Sequence, residues 1–280
     1  MPRTLAKSKA IVLRVRRMGE TSKRVTLYTE DFGKVKVVAK GARKPKSKFG
    51  AALELMTEIQ VVFYLRDDRE LQTLSDCDVT RTHPNLLNGL QRLSFGSAVC
   101  ELVDHLTIEG EGGNGRLYRG LTGVLAGLEE VNASQTEALF WYFQLRMADS
   151  LGYRPELGHC VDCLSPLEGS SLWFSPALGG GLCVGCGSAA ARVDCADGSG
   201  LVGDGEGGAY GAQAFRVAGE NIQFLAALQS LPKYEKQTVP EALPRRRGRE
   251  IRSMLLRFLE FHAGQGGRLK SLDFLESVNG

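Results

Sequence analysis

The chain has 280 residues, 43% hydrophobic and 24% charged, with a net charge of +3. That composition describes a globular protein of one large or two to three small domains, and it excludes disordered and fibrous classes. No run of eighteen apolar residues occurs and residues 1–7 lack the apolar core of a secretory signal, so a soluble, cytoplasmic protein is expected.

Charge is unevenly distributed. Residues 1–50 carry fifteen Lys and Arg against three acids (Glu20, Glu30, Asp31), a local net of +12, which leaves −9 for residues 51–280. A cationic segment of that density suits a polyanionic partner.

In chain order, residues 8–80 read as β structure. Ile11–Arg16, Val25–Thr29, Lys34–Val37, Ile59–Leu65 and Leu71–Leu74 make about five short strands, with a hairpin turn at Glu30–Gly33. Period-two alternation places Lys34 and Lys36 on one sheet face, and Val35 and Val37 on the other. Five strands in so short a span predict an OB-fold barrel over residues 1–80. Between the third and fourth strands, residues 41–50 form a basic, glycine-bounded segment interrupted by Pro45, expected to be an exposed, mobile loop.

Helical periodicity follows over residues 81–156, the first part of a helical domain. Leu86, Leu90, Leu93, Val99, Leu102 and Leu106 form one stripe, and Leu117–Leu128 a second helix. Ser134 and Glu137 have capping-box spacing ahead of the aromatic run Phe140–Phe143, which is expected to be bundle core. Residues 157–195 carry two C-x-x-C pairs in a zinc-ribbon-like module. Residues 196–280 are the second helical part. It begins with a Gly/Asp-rich linker at 197–208, resumes as helix near Ala212, and ends with a helix from about Pro244 to His262. The predicted class is α+β and multidomain.

The most specific local motif is Cys160-x2-Cys163-x19-Cys183-x2-Cys186. This spacing suits one structural Zn2+ with four thiolates and no open catalytic position. Gly185 and Gly187 suit a tight second knuckle; the first has no equivalent glycine. The scattered Cys77, Cys100 and Cys195 are expected to be small buried hydrophobes or incidental thiols. The expected DNA-binding set is Arg14, Arg16, Lys23, Arg24, Lys34, Lys36, Lys40, Arg43, Lys44, Lys46 and Lys48, which suit phosphate contacts without sequence reading. A second basic patch is expected at Arg245, Arg249 and Arg252, on one helical face. No phosphate loop, H-E-x-x-H or G-x-S-x-G is present, and the four histidines are dispersed, so no catalytic residue is assigned. The residues alone leave a zinc-ribbon adaptor acting on RNA, or a metalloenzyme, as alternatives.

Gly19–Thr29, Phe32–Lys34, Val38–Ser47 and Leu269–Leu275, with the order barrel, helices, four-cysteine module, helices, resemble the RecO family of bacterial recombination mediators. The resemblance covers nearly the whole chain. It implies a non-enzymatic DNA repair protein at the bacterial nucleoid. Such a protein binds single- and double-stranded DNA and anneals complementary strands. It assists RecA with RecR, in some pathways with RecF, on DNA coated by the single-stranded-DNA-binding protein.

Overall fold

A computed structural model describes residues 4–66, 68–196, 214–232, 243–263 and 269–279. The expected Gly/Asp-rich linker at 197–208 lies outside these residues, as does the side chain of Cys195. The chain forms two compact units, Met1–Thr136 with Arg268–Gly280, and Glu137–Gly267.

The first unit contains the expected OB-like barrel. Five strands, β1 (Thr4–Met18), β2 (Ser22–Thr29), β3 (Gly33–Ala39), β4 (Glu58–Leu65) and β5 (Leu71–Arg81), close in the order β1-β2-β3-β5-β4. Only β3 and β5 pair in parallel. Closure depends on the long β1, which pairs with β4 through Thr4–Ile11 and with β2 through Ala10–Met18. A register shift between Val12 and Arg14 bends it from one neighbour to the other. Val12, Val25, Leu27, Val37, Ile59 and Phe63 fill the interior. On β3 Val35 and Val37 point inward and Lys34 and Lys36 outward, as period two requires.

The 41–50 segment is exposed at Arg43–Lys46 and at Lys48, as expected, but is anchored by two apolar residues. Ala42 and Phe49 are buried in the barrel core together with Ala52 and Leu53, which close its end. Turn hydrogen bonds from Lys44 N to Gly41 O (3.0 Å) and from Ser47 N to Lys44 O (3.0 Å) shape the intervening residues. The cations therefore project from a tethered scaffold.

Helices α1 (Pro84–Leu87), α2 (Leu90–Leu106) and α3 (Gly115–Glu130) follow, and α8 (Lys270–Asn279), at the far end of the chain, also belongs to this unit. The stripe expected to begin at Leu86 is broken at Asn88–Gly89, and Leu90 is exposed. Gly96 allows α2 to approach closely, since a Cβ there would lie 2.6 Å from Met56 Sδ. The 112–113 glycines play the same part against the β2–β3 turn. A Cβ on Gly113 would lie 2.2 Å from Glu30 O, and one on Gly33 2.1 Å from Gly112 O.

The second unit contains α4 (Thr136–Ser150), β6 (Ser171–Ser175), β7 (Gly180–Leu182), α5 (Val184–Ala196), β8 (Phe215–Ala218), α6 (Gly219–Ser230) and α7 (Arg245–Ala263). Phe140, Trp141 and Phe143 are core, as expected. The capping box ahead of α4 is formed by Asn132 and Gln135, not Ser134 and Glu137. Glu137 instead holds Arg252 at 2.6 Å. Residues 215–218, expected to be helical, form a strand that pairs with β6 in a sheet ordered β7-β6-β8. Phe174 anchors that sheet, with ring centroids 6.0 Å from Phe215 and 5.9 Å from Phe258.

His83, between β5 and α1, joins barrel and helices in the first unit. Its side chain is 1% exposed, with Nδ1 2.9 Å from Glu129 and Nε2 3.1 Å from Glu58. Arg81 lies 3.6 Å from Glu129 on the other side. Burial alone would lower the imidazole pKa. The hydrogen bonds to Glu58 and Glu129 outweigh it, so the pKa rises above its ordinary value, and in the protonated ring each nitrogen has a carboxylate to donate to. A raised pKa adds stability that is fully present below the unfolded value, about 6.5. That stability is lost as pH climbs through the folded value. Urea unfolding across pH 5.5–9 should show this loss in the wild type, and His83→Gln should be less stable at low pH and lack this component. Identical profiles for the two proteins would refute it.

Candidate nucleic-acid interface and metal centre

The barrel sorts its cations into three groups. Arg14, Lys34 and Lys36 face acids from the helical region. Arg14 lies 2.9 Å from Asp104 and Lys34 3.6 Å from it, and Lys34 also donates to the Asp104 carbonyl at 2.6 Å. Lys36 pairs with Glu109. Lys23, Arg43 and Lys48 are partly engaged. Lys23 contacts Glu54 at 2.9 Å, and Arg43 donates to the carbonyls of Gly19 (3.1 Å) and Glu20 (2.8 Å). Lys48 reaches Ser75 O and lies 3.6 Å from Asp76. Arg16, Arg24, Lys40, Lys44 and Lys46 are exposed and their side chains make no hydrogen bond or ion pair among the described residues; the same holds for Arg17.

These free cations lie at one end of the barrel. Arg16 pairs directly with Arg24, and Arg17 with Lys23, across the β1–β2 hairpin. Like charges directly opposite each other repel, and only solvent or an anion relieves them. Arg43 N donates to Thr21 O at 2.9 Å, which ties the 41–50 segment to the same hairpin. Strand alternation placed Lys34 and Lys36 on the outer face of β3. The acids that neutralise Arg14, Lys34 and Lys36 come from more than sixty residues away and leave no local sequence signal. Of the barrel aromatics, Tyr28, Phe49 and Phe63 are buried, Phe32 packs on Phe63, and Tyr64 is exposed.

The second expected patch is narrower than the spacing suggests. Arg245 and Arg249 are exposed, but Arg252 lies against α4, its side chain 17% exposed and bound to Glu137. One turn further along α7, the same helical face runs onto the start of α4.

The four cysteines converge. The Sγ atoms of Cys160, Cys163, Cys183 and Cys186 all lie within 4.8 Å of one another, and Cys163 and Cys183 are 3.8 Å apart. Tetrahedral ligands at a zinc–sulfur length of about 2.3 Å are separated by about 3.8 Å, so the set fits one such ion. Backbone pairing brings the two knuckles together. Glu156 and Val161 bond to Gly179 and Gly181 beside β7, and β7 leads straight into Cys183. The 179–181 glycines serve this approach, since a Cβ on Gly180 would lie 2.3 Å from Glu156 O.

In the first knuckle Leu164 adopts φ 62°, the left-handed conformation that glycine takes elsewhere. It donates to Cys160 O at 2.9 Å, and Cys160 N donates to Ser165 O at 2.8 Å. The second knuckle is the first turn of α5, where Cys186 N donates to Cys183 Sγ at 3.5 Å. Gly187 is required there by Trp173, whose Cγ would lie 2.1 Å from an added Cβ.

The thiols lack equal environments. The Ser165 hydroxyl brings Cys163 down to about 6, the Cys186 amide lowers Cys183, and Asp162 pushes Cys186 up. Four thiolates this close repel one another, and a divalent cation removes the conflict. His159 stands outside the cluster, 4.0 Å from Glu156. Cys77 and Cys100 are buried; burial pushes Cys77 up to about 11 and Cys100 higher still, so neither is a nucleophile.

The fold and site define an OB-barrel protein with an appended helical region and a four-cysteine centre. Two family models match in succession, Recombination protein O N terminal over residues 1–83 and Recombination protein O C terminal over residues 87–202. Curated relatives named DNA repair protein RecO are similar. One from Pelotomaculum thermopropionicum is 42% identical over 179 residues, 64% of this chain and 67% of the relative. One from Heliobacterium modesticaldum is 36% identical over 180 residues, 63% of each. The chain belongs to the RecO family of DNA repair proteins. Among the described residues no helix is long and apolar enough to cross a membrane.

Proposed function

We propose that this protein is a non-catalytic recombination mediator that binds single- and double-stranded DNA through the free-cation end of its barrel and anneals complementary strands. The observation that carries this reading is the cross-strand pairing of Arg16 with Arg24, neither with an acid partner among the described residues, beside the exposed side chains of Arg17, Lys40, Lys44 and Lys46. Phosphates supply the missing counter-charge without demanding a base sequence. Family membership supports RecR as protein partner, RecF and the single-stranded-DNA-binding protein as further ones, and assistance to RecA as the outcome.

In this reading Arg14, Lys34 and Lys36 act indirectly, holding the helices to the barrel. Arg16, Arg24, Lys40, Lys44 and Lys46 contact phosphates. Lys23, Arg43 and Lys48 add charge and fix the hairpin and loop. Cys160, Cys163, Cys183 and Cys186 hold one Zn2+, which neutralises the thiolates and pins the two knuckles. With four thiolate ligands it has no position left for substrate.

Neutralising Lys40, Arg43, Lys44 and Lys46 together should weaken binding to oligo-dT. It should also reduce the slope of log affinity against log salt by about 2–3, at roughly 0.7 per single-strand phosphate contact. Unchanged affinity and slope would sink the proposal, and a preference for RNA over DNA would redirect it to an RNA adaptor.

Elemental analysis should find one zinc per chain, and Cys163→Ser should lose the metal and lower the unfolding midpoint, because metal binding is coupled to folding. Protein that is folded but carries no zinc would overturn the assignment.

A further inference from the structure

An open cavity of about 440 Å3 in the second unit is lined by Arg216 on β8, Glu220 on α6, and Arg246, Arg247 and Glu250 on α7. Its acids are already occupied. The Glu250 carboxylate accepts from Ala218 N at 2.8 Å and from Asn221 Nδ2 at 2.7 Å. Glu220 lies 3.3 Å from Arg247, whose Nε also donates to Asn221 Oδ1 at 2.8 Å.

Two cavity arginines remain available. Arg246 is exposed and its side chain makes no hydrogen bond or ion pair among the described residues, and the side chain of Arg249, one turn along the same helix outside the cavity lining, is in the same state. Arg216 is exposed with its guanidinium 5.3 Å from the centre of the Trp173 ring. Trp173 is fixed from behind by β6 pairing and by its contact at Gly187. A guanidinium held over a fixed indole by a cation–π contact offers its solvent side to a flat, electron-rich ring, and free guanidiniums beside it offer charge to phosphates. That pairing of a stacking face with cations suits a base-bearing polyanion better than an acidic peptide, which has nothing to stack.

We propose that this cavity is a second single-stranded nucleic-acid subsite, with a base on Arg216 over Trp173 and the neighbouring phosphates on Arg246 and Arg249. It rests on the DNA-binding reading of the barrel and deepens it, because annealing requires two strands and the chain then has a surface for each.

The test uses the full chain and oligo-dT carrying a single 5-iodouracil. Irradiation should yield a cross-link in the β8 peptide containing Arg216, and that cross-link should persist when the barrel cations 40, 43, 44 and 46 are neutralised. Arg246→Gln/Arg249→Gln, which removes no internal contact, should lower the bound oligo-dT from two per chain to one. It should also reduce the salt slope by about 1.4, for two phosphate contacts. Arg216→Met should lose the cross-link with the unfolding midpoint unchanged. Cross-links confined to the barrel, with stoichiometry unchanged in Arg246→Gln/Arg249→Gln, would overturn this subsite while leaving the barrel reading intact. An Asp/Glu-rich peptide that loses affinity for the double variant while oligo-dT binding is unaltered would also overturn it. Failure of the barrel reading shows separately, as binding unaltered by the barrel variant.

Discussion

One buried carboxylate organises the first unit. Asp104, 9% exposed on α2, receives Arg14 from β1 and Lys34 from β3, so a single acid ties two strands to one helix. A buried charge is tolerated only when paired, and removing one member of such a set costs about 3–5 kcal/mol when fully desolvated. Glu109 extends the arrangement to Lys36. The helix-facing cations of the barrel, Arg14, Lys34 and Lys36, are thereby held by two acids, and the cations left without an acid lie at the β1–β2 hairpin and the adjoining loop. Docking of the helices and segregation of the free cations are two results of the same ion pairs.

The consequence for function follows from what those free cations lack. Arg16 and Arg24 face each other with no acid paired to either among the described residues. Phe49 and Ala42, buried under the neighbouring loop, hold Lys44 and Lys46 on a short tether. Less conformational freedom is therefore lost when they meet a phosphate than a free loop would lose. In the four-cysteine centre, Leu164 sits in a left-handed conformation and Gly187 accommodates Trp173, which shapes the two knuckles around the thiol cluster.

Features set by near neighbours in sequence were legible. The Lys34–Val37 alternation, the barrel strands, the aromatic core of α4 and the C-x-x-C spacing each carry a local period or motif. Features set by distant partners were not. Nothing near Lys34 announces Asp104, nothing near Arg252 announces Glu137, and Phe215–Ala218 becomes a strand only because β6 offers an edge. Ser134 and Glu137 had capping-box spacing as good as Asn132 and Gln135, but Glu137 was claimed by Arg252. Charge count and period thus located the cationic barrel, while tertiary ion pairs decided which of its cations are free.

The most direct test of that sorting compares the salt dependence of oligo-dT binding in Arg16→Gln/Arg24→Gln and in Lys36→Gln. The first should reduce the slope by about 1.4, as two lost phosphate contacts require. The second should leave the slope unchanged and lower the unfolding midpoint instead. A Lys36→Gln slope that falls by a full contact, or an Arg16→Gln/Arg24→Gln slope that does not move, would contradict the account.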